Sequence, residues 1–482
     1  MQELRNSIIS DVWEIFENIS KIPHGSGNEK KLSDWICSYV KNLGYQVEQD
    51  EYFNIFTKIP ASSGYEIYEP IILQSHLDMV NEKNSFSNHN FLTDELELYI
   101  EDGYLKAKDT TLGADNGIGV AMILAYISRI NTNHPPLEIV FTTQEETTMA
   151  GAKNFDGSKL SGHKLISLDN TNEHEICIGC AGIVSLNINK QFSIENSKNL
   201  SCLNIHFSGL VGGHSGDDIH KRKSSFIFAT RTLLELRKSI DFQLSKITLG
   251  QAGNSIAREF DIDICLEKSN IEKTQEILSN LEKEYQSELL NPNINIKTNL
   301  IESKTMLTKE ESNKLIDFLI SLPNGMQTMT SDPELAESSL NIGIVKLQED
   351  NISFVVTIRS SVKGLETYIL EKLNAICKSF DFNLIVNSIS PFFNSNPNSE
   401  LIAVCKEQYS KVYNGKQLNL KKYHAMMELG IFEKKINNFQ GVLLSPELID
   451  IHSPNERLNI KSTERTFEFL SAIIENCKFK NV

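Results

Sequence analysis

No stretch of the 482 residues approaches the ~20 consecutive apolar positions that a membrane-spanning helix needs, so a membrane protein is not expected. Basic residues are scarce as well. Forty-seven Lys and Arg stand against 63 Asp and Glu, a formal charge of -16. The one basic cluster, Lys221-Arg222-Lys223, is too short for the clustered face that a phosphate backbone requires, which argues against nucleic acid as a partner. Cysteine is thinly spread. Cys177 and Cys180 form a CxxC, but no second pair and no histidine cluster follows, so a zinc knuckle is not expected, and the eight cysteines fit buried thiols in a reducing cytoplasm. The first twenty residues contain neither an uninterrupted apolar core nor a small-residue cleavage site; they read as an amphipathic helix, not a signal peptide.

What remains is an ordinary globular composition, 40% hydrophobic and 23% charged, in a chain long enough for two or three domains. Helices are predicted over residues 3–20 and 28–43, separated by a loop containing Pro23 and Gly25. Short strands follow near 46–49 and 54–58, then a buried strand, Ile71-Ile72-Leu73, running into His76 and Asp78. Two residues apart in extended chain, these side chains point to the same side. Residues 112–119, Leu-Gly-Ala-Asp-Asn-Gly-Ile-Gly, place Asp115 among glycines at the mouth of an apolar helix. By itself this stretch suits either a capping turn or a metal-binding one. Pro135-Pro136 breaks the chain before a buried strand at 137–142, which leads to Glu145-Glu146, and a third strand at 165–168 leads to Asp169. That alternation implies an α/β sheet with these side chains at one edge, where open α/β sheets bind ligands.

Near residue 190 the pattern changes to half-exposed alternation, as at 201–208, followed by a Gly-rich loop with His214 and helices at 224–239 and around Leu278, Leu281 and Tyr285. Residues 391–397 read as a linker. The expected organisation is therefore a catalytic domain (1–190 and 393–482), with a mixed sheet flanked by helices, and an inserted α+β domain (191–392). Taken together, His76, Asp115, Glu146, Asp169 and His452 offer two imidazoles and three carboxylates, a ligand mix suited to zinc, or to manganese or cobalt. Five ligands serve two metals if one carboxylate bridges; such metals lie roughly 3.5 to 4 Å apart.

The sequence resembles the M20 metallopeptidases, within them the aminoacyl-histidine dipeptidase (peptidase D) subgroup. The matching stretches are Leu73-Gln-Ser-His-Leu-Asp-Met-Val80, Thr110-Thr-Leu-Gly-Ala-Asp-Asn-Gly-Ile-Gly119, Glu145-Glu146, Gly179-Cys-Ala-Gly182, Gly212-Gly-His-Ser-Gly216, Ile358-Arg-Ser360 and His452-Ser-Pro-Asn-Glu456. They span essentially the whole chain. The resemblance implies a zinc-exopeptidase-like fold with the inserted domain as a lid, and a cytoplasmic dipeptidase that cleaves short peptides, Xaa-His dipeptides among them. It also implies roles. His76 and Asp169 would hold one metal, Glu146 and His452 the other, and Asp115 would bridge them. Asp78 would orient the His76 ring, and Glu145 would be the general base for a water held between the metals. His214, Asn254, Arg359 and His424 would bind substrate, His214 at the oxyanion and Asn254 with Arg359 at the carbonyl and carboxylate end. A lid-mediated homodimer is a further implication.

There are departures from the subgroup's pattern. His424-Ala-Met-Met-Glu-Leu-Gly430 carries methionines where Gly and Leu are usual, Asn254-Ser-Ile-Ala257 lacks a proline, Ser445-Pro446 replaces Gly-Pro, and Asn170 replaces an acid. They bear on pocket shape more than on hydrolysis. An amidohydrolase acting on N-acyl amino acids and a metal-binding pseudoenzyme are the competing readings. An Asp115 lying far from the other four ligands would refute the bridge.

Overall fold

The structure, a computed structural model, describes residues 2–129 and 132–480. The chain divides into two compact units, Met1–Gly179 with Phe393–Lys422 and Met427–Val482, and Cys180–Phe392 with Tyr423–Met426.

In the first unit the strand Ile71–His76 lies between Leu137–Thr142 and Lys164–Ser167, parallel to both. All three are buried along their whole length, as expected of parallel strands covered on both faces. The sheet continues through Ile55–Ile59 to Val47–Gln49 on one side and through Gln440–Leu443, Glu175–Cys180 and Phe393–Asn394 on the other, with Asn419–Tyr423 also paired to Glu175–Cys180. Two helices, Ser10–Ser20 and Ala114–Ser128, pack on each other, the second also on the His76 strand. The first buries Val12, Trp13, Ile15, Phe16 and Ile19, one stripe at helical spacing. The second is buried all round from Asn116 to Ile127, which is how a helix sandwiched in a core reads. Gly119 makes that close packing possible: a Cβ there would sit 2.5 Å from Ser75 Oγ and 2.8 Å from Leu168 Cβ.

The first helix differs from its predicted span. Residues Gln2–Asn6 form a 3-10 turn, and the α-helix begins at Ser10. Ser7 breaks the run, its hydroxyl accepting the Ile9 N–H and donating to Glu464 Oε1 at 2.6 Å, an alternative to helical bonding. The expected linker at 391–397 also carries structure, since Phe393–Asn394 forms the sheet's edge strand with Phe393 buried.

The second unit is built on a nine-stranded antiparallel sheet in which Gly182–Gln191 pairs with both Asn351–Ser360 and Asn383–Ser390. Both partners lie in this unit, so Gly182–Gln191 does too, and the boundary falls at 179/180 instead of near 190. Ser225–Ser239, Lys309–Ser321 and Lys363–Ser379 are helices packed on that sheet. One expectation about cysteine fails here. Cys202 and Cys265 stand directly opposite each other in adjacent antiparallel strands and form a disulfide, a pairing that spacing alone does not reveal. The other six cysteines are buried.

Candidate active site

Three parallel strands end side by side, and their continuations carry the chemistry of the first unit. His76 closes its own strand, Glu145 and Glu146 follow Leu137–Thr142, and Asp169 follows Lys164–Ser167. Asp115 comes from the start of the helix Ala114–Ser128, where its dihedrals interrupt the helical path and Gly113 takes a φ of 67°. A side chain on Gly113 would also strike the Met79 sulfur, 2.8 Å from the position of its Cβ. His452 arrives from a C-terminal loop, itself at a φ of 60°.

These five side chains meet. Asp115 Oδ1 lies 3.2 Å from His76 Nε2, and Asp115 Oδ2 lies 3.3 Å from His452 Nε2. His76 Nε2 is also 3.4 Å from Asp169 Oδ1, and His452 Nε2 is 3.0 Å from Glu146 Oε1. Each oxygen of one carboxylate thus faces a different imidazole, and each imidazole has one further carboxylate of its own. The site is crowded with like charge. Two carboxylates about 4 Å apart repel by ~4 kcal/mol at an effective dielectric constant of ~20. Among the described residues no lysine or arginine forms an ion pair with Asp115, Glu145, Glu146 or Asp169. Burial and the neighbouring Asp169 charge push the Glu145 carboxyl well above its ordinary value, and burial and Asp115 raise that of Glu146. Burial acts to raise Asp115 as well, but the two histidines outweigh it and hold the carboxyl well below the usual range.

Such a donor set fits divalent metal. His76 Nδ1 donates to the main-chain carbonyl of Asp78 at 3.0 Å, so Nε2 is the atom turned towards the carboxylate oxygens; burial acts to lower the His76 pKa, but Asp169 and Asp115 outweigh it and push it well above its ordinary value. Carboxylate oxygens gathered around Nε2 call for a positive centre there, which a proton or a metal ion supplies. Ligand atoms of His76, Asp115 and Glu146 fall within 4.8 Å of one another, the spread a single ion can span.

Asp78 stands where expected, but its carboxylate does something else. Its Oδ1 is 3.7 Å from the His76 ring, whereas it accepts the Glu145 N–H at 2.9 Å, the Glu146 N–H at 3.1 Å and the Ser26 hydroxyl at 2.7 Å. The carboxylate holds the Glu145-Glu146 loop, and the Asp78 backbone orients the ring. Glu29 adds to this from the N-terminal loop, accepting the N–H groups of Gly27 and Gln144. Deeper down, the Glu428 carboxylate accepts from Gln74 Nε2 at 2.6 Å and Thr142 Oγ1 at 2.7 Å, and burial raises its pKa to about 8. Sequence motifs included Asp78 and Glu428 but did not reveal which backbone groups or side chains they would meet.

The second unit has its own polar cluster. Arg359, on the strand Asn351–Ser360, is only 4% exposed, yet forms no ion pair among the described residues. Its guanidinium bonds Ser215 Oγ and His214 Nε2, both at 3.4 Å. His214 Nδ1 is 3.1 Å from Asp217. Burial brings Arg359 down to about 10, with Asp217 opposing. His424 Nε2 lies 2.7 Å from the Ser339 hydroxyl, and burial and the Arg359 charge lower its pKa to about 3, so the ring is neutral. Asn254 contributes its main-chain carbonyl, which accepts the Ser215 N–H at 2.9 Å, while its side chain is exposed. Asp217 and Ser339 are members of this cluster that the sequence did not single out, and Ser215 stood in a matching stretch without a role; a serine in an alternating strand, as Ser339 is, carries no signal.

Comparison with known proteins gives the family. The model of peptidase family M20/M25/M40 matches residues 72–476. The cytosol non-specific dipeptidase of Escherichia coli K12 is 30% identical over 486 residues, covering 100% of both chains. The structure of an aminoacylhistidine dipeptidase from Vibrio alginolyticus aligns over 98% of this chain and 99% of its own, with a TM-score of 0.86 and 28% identity. Aminopeptidase PepT of Bacillus cereus, at 16% identity and a TM-score of 0.57 over 97% of this chain and 98% of its own, shares the fold. With the family model matched over most of its length, this chain belongs to peptidase family M20/M25/M40.

Proposed function

We propose that the protein is a dipeptidase that uses two divalent metal ions, zinc first among the candidates, to hydrolyse short peptides including Xaa-His dipeptides in the cytoplasm. The observation that carries this reading is the division of Asp115: one oxygen faces His76, the other His452. His76 with Asp169 would hold one ion, His452 with Glu146 the other, and Asp115 would serve both. Bound there, the ions supply Lewis acidity that brings the pKa of water towards about 7. Among this chain's own groups, Glu145 is the base that accepts the proton of the attacking water and returns it to the departing amine. Burial and the Asp169 charge raise its pKa, the direction that favours taking up a proton. Asp78 keeps the base in place by holding the Glu145 and Glu146 N–H groups.

Substrate recognition falls to the second unit, where a buried guanidinium that forms no ion pair among the described residues suits the C-terminal carboxylate of a peptide. His214 offers a donor for the oxyanion, and neutral His424 with Ser339 offers hydrogen bonds to the remaining polar groups. The relatives named above as dipeptidases, at 30% and 28% identity over nearly the full length, support the substrate class, and the name of the first supports the compartment.

A panel of dipeptides, Xaa-His among them, and N-acyl amino acids tests the proposal with zinc-loaded protein. Dipeptides are expected to be cleaved, and chelation is expected to abolish the reaction. Turnover of acyl amino acids alone would replace this reading with that of an amidohydrolase. Undiminished turnover after removal of metal would end it.

A further inference from the structure

One buried carboxylate near the candidate metal ligands has no part in the chemistry described so far. Glu456 is 3% exposed and lies four residues beyond His452. Its Oε2 accepts the N–H of Leu112 at 2.7 Å and of Gly113 at 3.1 Å, and its Oε1 accepts the N–H of Ala114 at 2.9 Å and of Asp115 at 3.3 Å. Four consecutive backbone donors thus converge on one side chain more than 340 residues away in sequence. The loop that carries Glu456 is itself braced. Arg457 Nη1 bonds Asp450, the Ser453 hydroxyl donates to the Asp450 carbonyl at 2.8 Å, and the Glu456 N–H donates to the Ser453 carbonyl at 3.1 Å. Arg457–Asn459 then pairs with Tyr104–Ala107, the strand that leads into the Asp115 turn.

His452 needs such support more than the other ligands do. Its side chain is 46% exposed, whereas that of His76 is 1% exposed inside a strand end. His452 lies in the loop between the strands Leu448–Ile449 and Arg457–Asn459, and that loop is tied to the Asp115 turn through Glu456.

We propose that Glu456 is a positioning residue for the metal site, its carboxylate gathering the N–H groups of residues 112–115 so that Asp115 and His452 are held in register with each other. The inference rests on the two-metal reading above. Its physical basis is that a carboxylate accepts on both oxygens, whereas an amide of the same shape accepts on one and turns an N–H₂ donor towards two N–H donors. Glu456→Gln therefore preserves volume and breaks half of the clamp.

Zinc titration against a competing chelator, with elemental analysis of bound metal, is the test. Glu456→Gln is expected to weaken zinc binding by ~10–100-fold, the range found when groups supporting metal ligands are removed. The kcat for a dipeptide is expected to fall at limiting zinc and to recover in excess zinc, with KM changed by less than about threefold. A purely structural residue would lower thermal stability without moving zinc affinity. Wild-type zinc affinity in a folded Glu456→Gln protein would overturn the proposal while leaving the two-metal reading intact; a wild-type protein that binds no zinc would overturn both. Should the variant fail to fold, hydrogen exchange of the wild-type protein decides. The amides of residues 112–115 are expected to be protected like the body of the helix Ala114–Ser128, and rapid exchange there would refute the clamp.

Discussion

The polar clusters of the two units are built on opposite electrostatic plans. In the first unit, four acids, Asp115, Glu145, Glu146 and Asp169, surround two imidazoles with no lysine or arginine among their described ion-pair partners. In the second, a buried guanidinium is accompanied by hydroxyls and imidazoles, and the nearby Asp217 is hydrogen-bonded to His214. Concentrating buried charge of one sign is costly, so each cluster is complementary to a ligand of the opposite sign. The acidic cluster suits a cation. The Arg359 cluster suits an anion, and a dipeptide ends in one. A shift in residue type along a chain can therefore specify ligand charge unit by unit.

Three measurements would break or sharpen this contrast. The largest effect belongs to the acidic cluster: Glu145→Gln is expected to lower kcat by ~10²–10⁴-fold, the usual contribution of a general base, while bound zinc, measured by elemental analysis, stays at the wild-type level. Loss of metal along with activity would make Glu145 a ligand and not a base. Next comes the Arg359 cluster. Arg359→Lys removes the planar fork but keeps the charge, and is expected to raise KM for dipeptides by ~10–100-fold, in line with the ~1.5–3 kcal/mol of hydrogen bonds to charged groups. Substrates with an amidated C-terminus should show no such penalty. An equal penalty on both would remove Arg359 from carboxylate recognition.

The smallest expected effect is on pH-dependent stability, and it has opposite signs in the two units. Glu428 has a folded pKa raised to about 8, so the stability it contributes is fully present below its ordinary unfolded value and is lost as pH rises through about 8. His424 has a folded pKa lowered to about 3, so its contribution is present above the ordinary histidine value and is lost as pH falls towards about 3. Calorimetry across pH should show Glu428→Gln flattening the decline that runs from the ordinary glutamate value up to about pH 8, and His424→Gln the decline that runs from the ordinary histidine value down to about pH 3, each by Tm changes on the order of 5 °C. Both variants altering the same limb would contradict the assignment.

Much of the acidic cluster was legible because its members sit where buried strands or an apolar helix give way to polar chain. The apolar runs at 71–73, 137–142 and 165–168 identified the strands, and parallel pairing brought their ends together. Asp115 was ambiguous by itself, a cap as readily as a ligand; the sequence could not give the 3.2 and 3.3 Å that separate its two oxygens from His76 and His452. The Asp78 carboxylate illustrates what was not legible. Its spacing from His76 correctly puts both residues at one strand end, but its partners are backbone N–H groups of residues 145 and 146, and every residue except proline offers the same N–H. Ser7 misled in the other direction, because helical periodicity ignores a hydroxyl that competes for the backbone.

The sequence by itself determined the family, the order of the elements and the kinds of donor atom available, because side-chain chemistry and hydrophobic period are local properties. Tertiary structure alone decided which of those atoms meet. Strand register put Cys202 opposite Cys265, a side-chain contact paired Ser339 with His424, and a loop closed over hundreds of residues put Glu456 on the backbone of residues 112–115. Such contacts depend on where separate segments come to rest, and backbone donors, which make up half of the Glu456 clamp, leave no mark in the amino-acid code.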